Sequence, residues 1–367
     1  MRCFPRPGRF RELLGRYSRS VGILLVVLLS VAVACESASP GGDRASSAPE
    51  PALPQVPEPA LPLGTVTPTA SLPKACPDDS VCAGFDVACP GVVESATVFT
   101  AIRVPLGSVR GMVAFLSGDY GQQWWAEESE STALLGRLQA RGFVTVQVRW
   151  ETGWSIASEG EDAGSGHLAC RSASIIRWIH DHSYRPLDVP AGPIGRCGFC
   201  ITGNSGGASQ VSYALSFYGL DNILDGVFPT SGPPHAAQDK GCLRREGEDA
   251  YNYGNNAIVI DLAHGFLSDG PCERADPAFL SRWIEESVDT GGRDFVHPRT
   301  RIHFIHSDVD IPSLPHTLDY IARLRSAGTP FLTEQVIAGM PHRLQTSAAG
   351  LDALFDAILG GVTTSEE

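Results

Sequence analysis

The chain has 367 residues, of which 43% are hydrophobic and 19% charged, and it contains 39 Gly and 27 Pro. This length is enough for one large α/β domain or two small ones, and the composition excludes a disordered or collagen-like protein. The formal net charge is −13. Residues 1–34 carry six Arg and one Glu, or +5, so the remaining 333 residues carry −18. A body this acidic has no electrostatic attraction for phosphate backbones, so we expect no nucleic-acid partner.

The chain begins with a segment that is typical of export. An Arg-rich stretch of 20 residues precedes the 14 mostly apolar residues Val21–Ala34. As a helix these 14 residues rise only about 21 Å, which is less than the roughly 30 Å hydrocarbon core of a bilayer. The pattern therefore predicts a secretory signal peptide over residues 1–34 and disfavours a membrane-spanning anchor.

The end of this signal peptide is compatible with two kinds of processing, and both start the mature chain at Cys35. The letters VAVAC at 31–35 resemble the bacterial lipobox, in which a lipid is attached to the cysteine, whereas Ala32-Val33-Ala34 fits an ordinary A-x-A cleavage site. Residues 35–74 are rich in Pro and Ala, and PEPALP occurs twice in them, at 49–54 and 57–62. We predict an extended tether there. A tether favours a cell-surface lipoprotein over free secretion, with membrane contact only through a lipid on Cys35.

Eight cysteines follow this segment, and an even number in an exported chain predicts disulfides without fixing their pairing. They are Cys76, Cys82, Cys89, Cys170, Cys197, Cys200, Cys242 and Cys272. Cys197 and Cys200 have the spacing of a redox CxxC motif. A reactive pair needs a helix N-terminus, however, and another motif occupies that junction a few residues later. We therefore expect structural cysteines in a folded domain over residues 75–367.

From residue 92 onwards, β-rich runs alternate with runs of helical spacing, which predicts a mostly parallel sheet flanked by helices. The predicted strands are Val92–Val104, Gly111–Leu116, Phe143–Trp150, Cys197–Thr202, Gly226–Pro229, Arg301–His306 and Phe331–Ile337. The predicted helices are Thr132–Arg141, Gly166–His182, Gly206–Gly219, Leu314–Ala327 and Leu344–Leu359. Residues 231–298 are predicted to be an insertion with loop character. In such sheets, function collects where the strands end.

One motif lies where a predicted strand meets a predicted helix. The letters TGNSGG at 202–207 contain the Gly-x-Ser-x-Gly pattern of a nucleophile elbow, with Ser205 at its centre. The tight turn exposes the hydroxyl of Ser205 at a helix N-terminus. The backbone N–H of Gly206 and the helix dipole can then meet developing negative charge.

A serine hydroxyl needs a base, and the base needs an orienting carboxylate. Downstream of Ser205, the letters HSDVD at 306–310 follow a predicted strand, and His342 follows the next one. With these three segments, most of residues 92–360 resembles the α/β-hydrolase superfamily, whose members often carry His-Gly-x-x-Asp at the acid position. The resemblance implies Asp310 as the acid, with Asp308 as the alternative, and His342 as the base.

The same resemblance suggests the second half of an oxyanion hole and a lid. The letters SGDYG at 117–121 occupy the place of the loop that supplies the second N–H, so the donor would be Asp119 or Tyr120 beside Gly206. Insertions such as residues 231–298 often serve as lids in this superfamily. A disulfide between Cys242 and Cys272 would stiffen such a lid.

Clustered tryptophans suggest a substrate surface near the site. Trp124, Trp125 and Trp154 lie in or next to loops that follow two predicted strands, and they fit either a flat apolar binding surface or packing of those loops. His235, near the start of the insertion, fits either substrate contact or a structural role.

The sequence therefore predicts an exported bacterial serine hydrolase, most simply a carboxylic-ester hydrolase that forms an acyl-enzyme on small-molecule or polymeric esters. The alternatives are a serine peptidase of the same fold and a surface lipoprotein with a non-catalytic binding domain. We expect no cofactor and no metal. A metal site made by His303, His306, Asp308 and Asp310 is disfavoured because alternation along a strand puts the two histidines on opposite faces.

Overall fold

The computed structural model describes residues 58–189, 196–251, 256–311 and 313–360. The predicted signal peptide, Cys35 and residues 36–57 of the predicted tether lie outside these ranges. Within them, no helix combines the length and the apolar character needed to cross a bilayer.

A nine-stranded sheet forms the centre of the described part, with the strand order β1-β2-β3-β5-β4-β6-β7-β8-β9. The strands are β1 (Thr65–Thr69), β2 (Val81–Ala88), β3 (Ala96–Arg103), β4 (Gly111–Leu116), β5 (Phe143–Trp150), β6 (Phe199–Asn204), β7 (Gly226–Thr230), β8 (Arg301–His306) and β9 (Leu332–Val336). β1, β2, β3 and β5 pair antiparallel, whereas β5, β4, β6, β7, β8 and β9 pair parallel. β4, β6 and β7 are buried along their whole length because helices cover both faces.

Helices connect the parallel strands and cover the sheet. They are α1 (Ser129–Ala140), α2 (Ser165–Leu168), α3 (Cys170–Ile179), α4 (Gly206–Ser216), α5 (Gln238–Leu243), α6 (Asn256–Ala263), α7 (Leu280–Glu286), α8 (Val288–Gly291), α9 (Leu314–Ala327) and α10 (Ala348–Leu359). A π-helical turn, His180–Tyr184, extends α3. One core cluster joins the sheet to α3, α4 and α9, and a second joins it to α1 and α10. The predicted layered α/β architecture is confirmed.

The N-terminal part of the sheet differs from the prediction. β1 lies inside the segment predicted as a tether, and its neighbour β2 was not predicted. Further upstream, the Leu61 N–H donates to the Phe217 carbonyl at 2.8 Å. Residues 58–74 are therefore part of the folded body. The sequence around Pro68 is typical of a tether and not of a strand. An edge strand nevertheless tolerates proline, because one row of its N–H groups faces away from the ladder.

The eight cysteines form four disulfides, as expected for structural cysteines. The pairs are Cys76–Cys82, Cys89–Cys170, Cys197–Cys200 and Cys242–Cys272. The second of these pairs joins the segment after β2 to α3. The last lies within the insertion.

The insertion contains α5, α6, α7 and α8, where the sequence predicted loop. Buried polar contacts fix it to the helices beneath. The Tyr213 hydroxyl of α4 donates to the Glu286 carbonyl at 2.6 Å, and the Ala237 N–H donates to Nδ1 of His316 on α9 at 3.2 Å. The helices are 4 to 8 residues long, so the sequence pattern was too brief to reveal a period.

Candidate active site

The turn between β6 and α4 places Ser205 in a backbone conformation that residues other than glycine rarely adopt, with φ 55° and ψ −118°. The Ser205 N–H donates to the Thr230 carbonyl of β7 at 2.9 Å, which holds the strained residue against the sheet. Gly207 has no room for a side chain, since an added Cβ would lie 2.2 Å from the Leu116 carbonyl oxygen. Gly207, the last glycine of the motif, is thus required because another part of the backbone approaches it closely.

Three side chains from three loops meet at this turn. Oγ of Ser205 lies 2.9 Å from Nε2 of His342, and Nδ1 of the same ring lies 2.8 Å from Oδ1 of Asp310. Asp310 is buried, and its Oδ2 accepts a hydrogen bond from the Ser313 hydroxyl at 2.8 Å. Burial opposes ionisation of Asp310, but the hydrogen bond and charge of His342 outweigh it, with help from Ser313, and lower the pKa of the carboxyl.

Two further side chains tie these loops together. Oδ1 of Asp308 accepts the Gly339 N–H at 2.8 Å, so the alternative acid bonds to the backbone of the histidine loop. Oδ1 of Asn204 accepts the Leu344 N–H at 3.2 Å and the Thr230 hydroxyl at 3.2 Å. Asn204 therefore links the elbow to the segment just after His342. Sequence reasoning missed this contact because no local pattern reveals which way the residue before the serine points.

The backbone of residues 117–121 lies directly against the start of α4. A Cβ added to Gly206 would be 2.1 Å from the carbonyl oxygen of Asp119 and 3.0 Å from its nitrogen. Asp119 has φ 48°, and the Gly121 N–H closes the turn on the Gly118 carbonyl at 2.8 Å. Gly206 is the first residue of α4, so its N–H has no acceptor within the helix. The Tyr120 side chain is half-buried, and this burial, followed by the charge of Asp119, raises the pKa of its phenol.

The tryptophans do not form the open binding surface that clustering suggested. Trp125 and Trp154 are 2% and 0% exposed, because the loops that carry them fold inward. Nε1 of Trp154 donates to the Asp119 carbonyl at 3.2 Å, and the Trp150 N–H donates to the Gly121 carbonyl at 2.8 Å. Trp150 and Trp154 therefore support the 117–121 turn from beneath.

The other two rings have separate positions. Trp125 packs on Phe115 with ring centroids 4.7 Å apart, in the core between the sheet and its helices. Trp124 is partly exposed, and its Nε1 donates to the Ala75 carbonyl at 3.1 Å. Of the three rings predicted to contact substrate, Trp124 alone retains solvent access.

His235 is buried beside α4, in keeping with the structural alternative. Its Nδ1 lies 2.7 Å from Oγ of Ser209, and its ring meets that of Trp154 edge-on at 5.6 Å. Burial, followed by the nearby His316, lowers the pKa of His235 to about 3. The ring is therefore neutral at physiological pH and packs one helical turn beyond the elbow.

The histidines of β8 bond to β9. Nδ1 of His303 lies 2.8 Å from Oγ1 of Thr333, and Nε2 of His306 lies 3.2 Å from Oε2 of Glu334. These contacts are separate from the bonds that Asp308 and Asp310 make.

Several solved structures are similar to this chain. Brefeldin A esterase, a bacterial homologue of human hormone sensitive lipase, aligns with 80% of this chain and 78% of its own, at 15% identity and a TM-score of 0.50. A carboxyl esterase from Bacillus coagulans covers 76% of this chain and 97% of its own, at 12% identity and a TM-score of 0.45. Monoglyceride lipase from Saccharomyces cerevisiae covers 84% and 96%, at 11% and 0.42.

At these identities the similarity concerns the fold. The chain has the α/β-hydrolase fold, as its sequence predicted. No protein-family model matches it, and neither does any curated protein.

Proposed function

We propose that this protein is a serine hydrolase that cleaves carboxylic esters. The observation that carries the proposal is the continuous chain of contacts from Ser205 Oγ through the His342 ring to Asp310, with separations of 2.9 and 2.8 Å. A neutral His342 that donates from Nδ1 to Asp310 has a lone pair on Nε2, and this atom faces the serine hydroxyl.

The reaction then proceeds in two steps. Ser205 Oγ attacks the ester carbonyl carbon while its proton passes to Nε2 of His342, and collapse of the tetrahedral intermediate sends that proton to the departing alcohol. Water then attacks the acyl-enzyme, again with His342 as the base, and releases the carboxylic acid. Asp310 fixes the tautomer of His342 and stabilises its charged form.

Stabilisation of the oxyanion falls to backbone N–H groups. Gly206 offers its N–H at the start of α4, and the turn at 117–121, which touches Gly206, would supply the second from Asp119 or Tyr120. A preorganised donor of this kind contributes about 3–4 kcal/mol to the transition state.

The residues around Asp310 favour an apolar substrate. Val309 and Ile311 flank Asp310 and are 58% and 55% exposed, which presents apolar surface next to the acid. Asp119, whose backbone contacts Gly206 and whose side chain is exposed, adds negative charge that disfavours anionic acyl groups. An ester substrate also agrees with the fold shared with brefeldin A esterase.

Export is part of this proposal. Four disulfides in one domain are expected where the environment is oxidising. A lipid on Cys35 would then hold the enzyme at the cell surface, and the mass of the mature N-terminus tests that step.

Hydrolysis of matched p-nitrophenyl esters and p-nitroanilides with the same acyl groups tests the activity and the bond preference together. We expect ester cleavage by the wild type and none above background by Ser205→Ala. Ser212→Ala is a matched control, because Ser212 is a buried serine of α4 whose hydroxyl has no hydrogen-bond partner among the described residues. A folded wild type that cleaves neither series would favour the binding module, and faster anilide cleavage would favour the peptidase.

A further inference from the structure

Three potential metal ligands converge far from the serine. Asp221 precedes β7, and Asp294 and His297 precede β8, so all three lie near the amino ends of these parallel strands, whereas Ser205, Asp310 and His342 follow the carboxyl ends of strands. One ligand atom from each of the three side chains lies within 4.8 Å of the other two.

The imidazole of His297 is the unusual member of this group. It is 0% exposed, and neither ring nitrogen has a hydrogen-bond partner in the part of the chain that is described. A buried imidazole normally pairs both nitrogens, because an unsatisfied polar group loses its bonds to water without compensation. A metal ion on one nitrogen would remove half of that loss.

The two carboxylates add negative charge beside this ring. A carboxylate oxygen of Asp221 lies within 4.8 Å of one of Asp294, so their charges repel each other. A cation between the two acids would relieve their repulsion.

Hydrogen bonds between side chains and backbone fix the segments that carry the three side chains. Oδ1 of Asp294 accepts the Val296 N–H at 2.8 Å. The Thr300 hydroxyl donates to the Asp221 and Leu224 carbonyls at 3.0 and 2.8 Å. The segment that leads into β8 is thereby attached to the segment that leads into β7.

The geometry points to a site for one divalent transition-metal ion of the zinc type, bound by Asp221, Asp294 and His297. Zinc accepts carboxylate oxygen and imidazole nitrogen together, and three protein ligands leave a fourth tetrahedral position for water. Calcium and magnesium prefer oxygen ligands throughout, so the histidine selects against them. Bonds of about 2.0–2.1 Å put tetrahedral ligand atoms about 3.3 Å apart, so the side chains would close in by up to about 1.5 Å on binding.

The ion would join residues 293–300, the segment that leads into β8, to the segment before β7. Its expected effect is on stability, because the site is at the other end of the sheet from Ser205. Zinc at 100 times its dissociation constant should raise Tm by about 5 °C for a domain of this size, with ester cleavage per folded molecule unchanged.

Calorimetric titration with ZnCl₂ and thermal unfolding test the site, with CaCl₂ and MgCl₂ as comparison salts and the purified protein in its disulfide-bonded form. We expect one zinc per chain, a Tm increase with zinc alone, and zinc affinity at least 10-fold weaker in Asp221→Asn, Asp294→Asn and His297→Gln. Asp352→Asn, which changes an exposed acid on α10, should respond like the wild type.

The two Asn variants keep the side-chain size, so they test the site even if His297→Gln fails to fold. No zinc binding by the folded wild type would overturn the proposal. So would a zinc response in the Asn variants that equals that of the wild type, or an equal response to calcium.

Discussion

The nucleophile side and the acid–base side of the candidate active site differ in what fixes their geometry. Around Ser205, backbone touches backbone: Gly206 abuts Asp119, Gly207 abuts Leu116, and buried tryptophans support the turn at 117–121. Around Asp310 and His342, the loops are held by individual hydrogen bonds. Steric damage on the first side should therefore cost stability, whereas removal of one bond on the second side should cost rate while the fold remains.

The largest expected effect comes from the acid. Asp310→Asn keeps the shape but holds His342 in the wrong tautomer, so kcat for ester cleavage should fall about 10⁴-fold. Asp308→Asn keeps an oxygen that can accept from the Gly339 N–H and the Ser307 hydroxyl but removes its charge, so it should cost less than about 10-fold. Initial rates of the two purified variants decide this, and a larger loss in Asp308→Asn would reverse the assignment of the acid.

Two Gly→Ala substitutions distinguish the effect of a steric clash from the effect of replacing a glycine. Gly207→Ala should lower the free energy of unfolding by about 3 kcal/mol or more, because its Cβ meets the Leu116 carbonyl at 2.2 Å. Gly136→Ala, in α1 with nothing within 4 Å of the added Cβ, should instead stabilise by about 0.5–1 kcal/mol. Urea unfolding measures both. Equal effects would show that the elbow is not packed as described.

Loss of the Asn204 amide should act mainly on rate. Asn204→Ala removes the acceptor of the Leu344 N–H, so the histidine loop loses a point of attachment and kcat should fall about 10–100-fold with KM little changed. Steady-state kinetics with one p-nitrophenyl ester provide the measurement. An unchanged kcat would mean that His342 is positioned without this bond.

The last expected effect concerns the insertion and acid pH. Nδ1 of His316 accepts the Ala237 N–H and its Nε2 lies 3.0 Å from the Tyr251 carbonyl, so only the neutral ring satisfies both contacts. Burial, the largest cause, lowers its pKa to about 4, against about 6.5 in an unfolded chain. The folded state thus binds this proton less readily than the unfolded state.

The contribution of His316 to stability is consequently complete above pH 6.5 and is lost as pH falls towards 4, by up to about 1.4 kcal/mol per pH unit. His316→Gln should flatten this part of the curve of unfolding free energy against pH. A variant whose curve keeps the slope of the wild type would assign the acid sensitivity to other buried groups.

The fold was largely predictable where local pattern and burial agree. Arg301–His306 and Leu314–Ala327 have the predicted bounds, and TGNSGG lies at a strand–helix junction as expected. β1 and β2 were not predicted, because an edge strand that contains Pro68 and a neighbour that contains Gly84 resemble linker in sequence until they pair.

The contacts between the loops of the candidate site were less predictable than the fold. Residues that face each other across loops, such as Asn204 and Leu344, carry no mutual signal in one sequence. The depth of a tryptophan such as Trp154 depends on how its loop folds over α4 and the sheet, which composition does not determine.

Reaction with a fluorophosphonate, followed by mass mapping of the modified peptide, tests whether Ser205 is the nucleophile. We expect one label per chain, on Ser205, with none in Ser205→Ala and slow labelling in His342→Ala. Labelling of another serine, or a folded wild type that stays unlabelled, would contradict it.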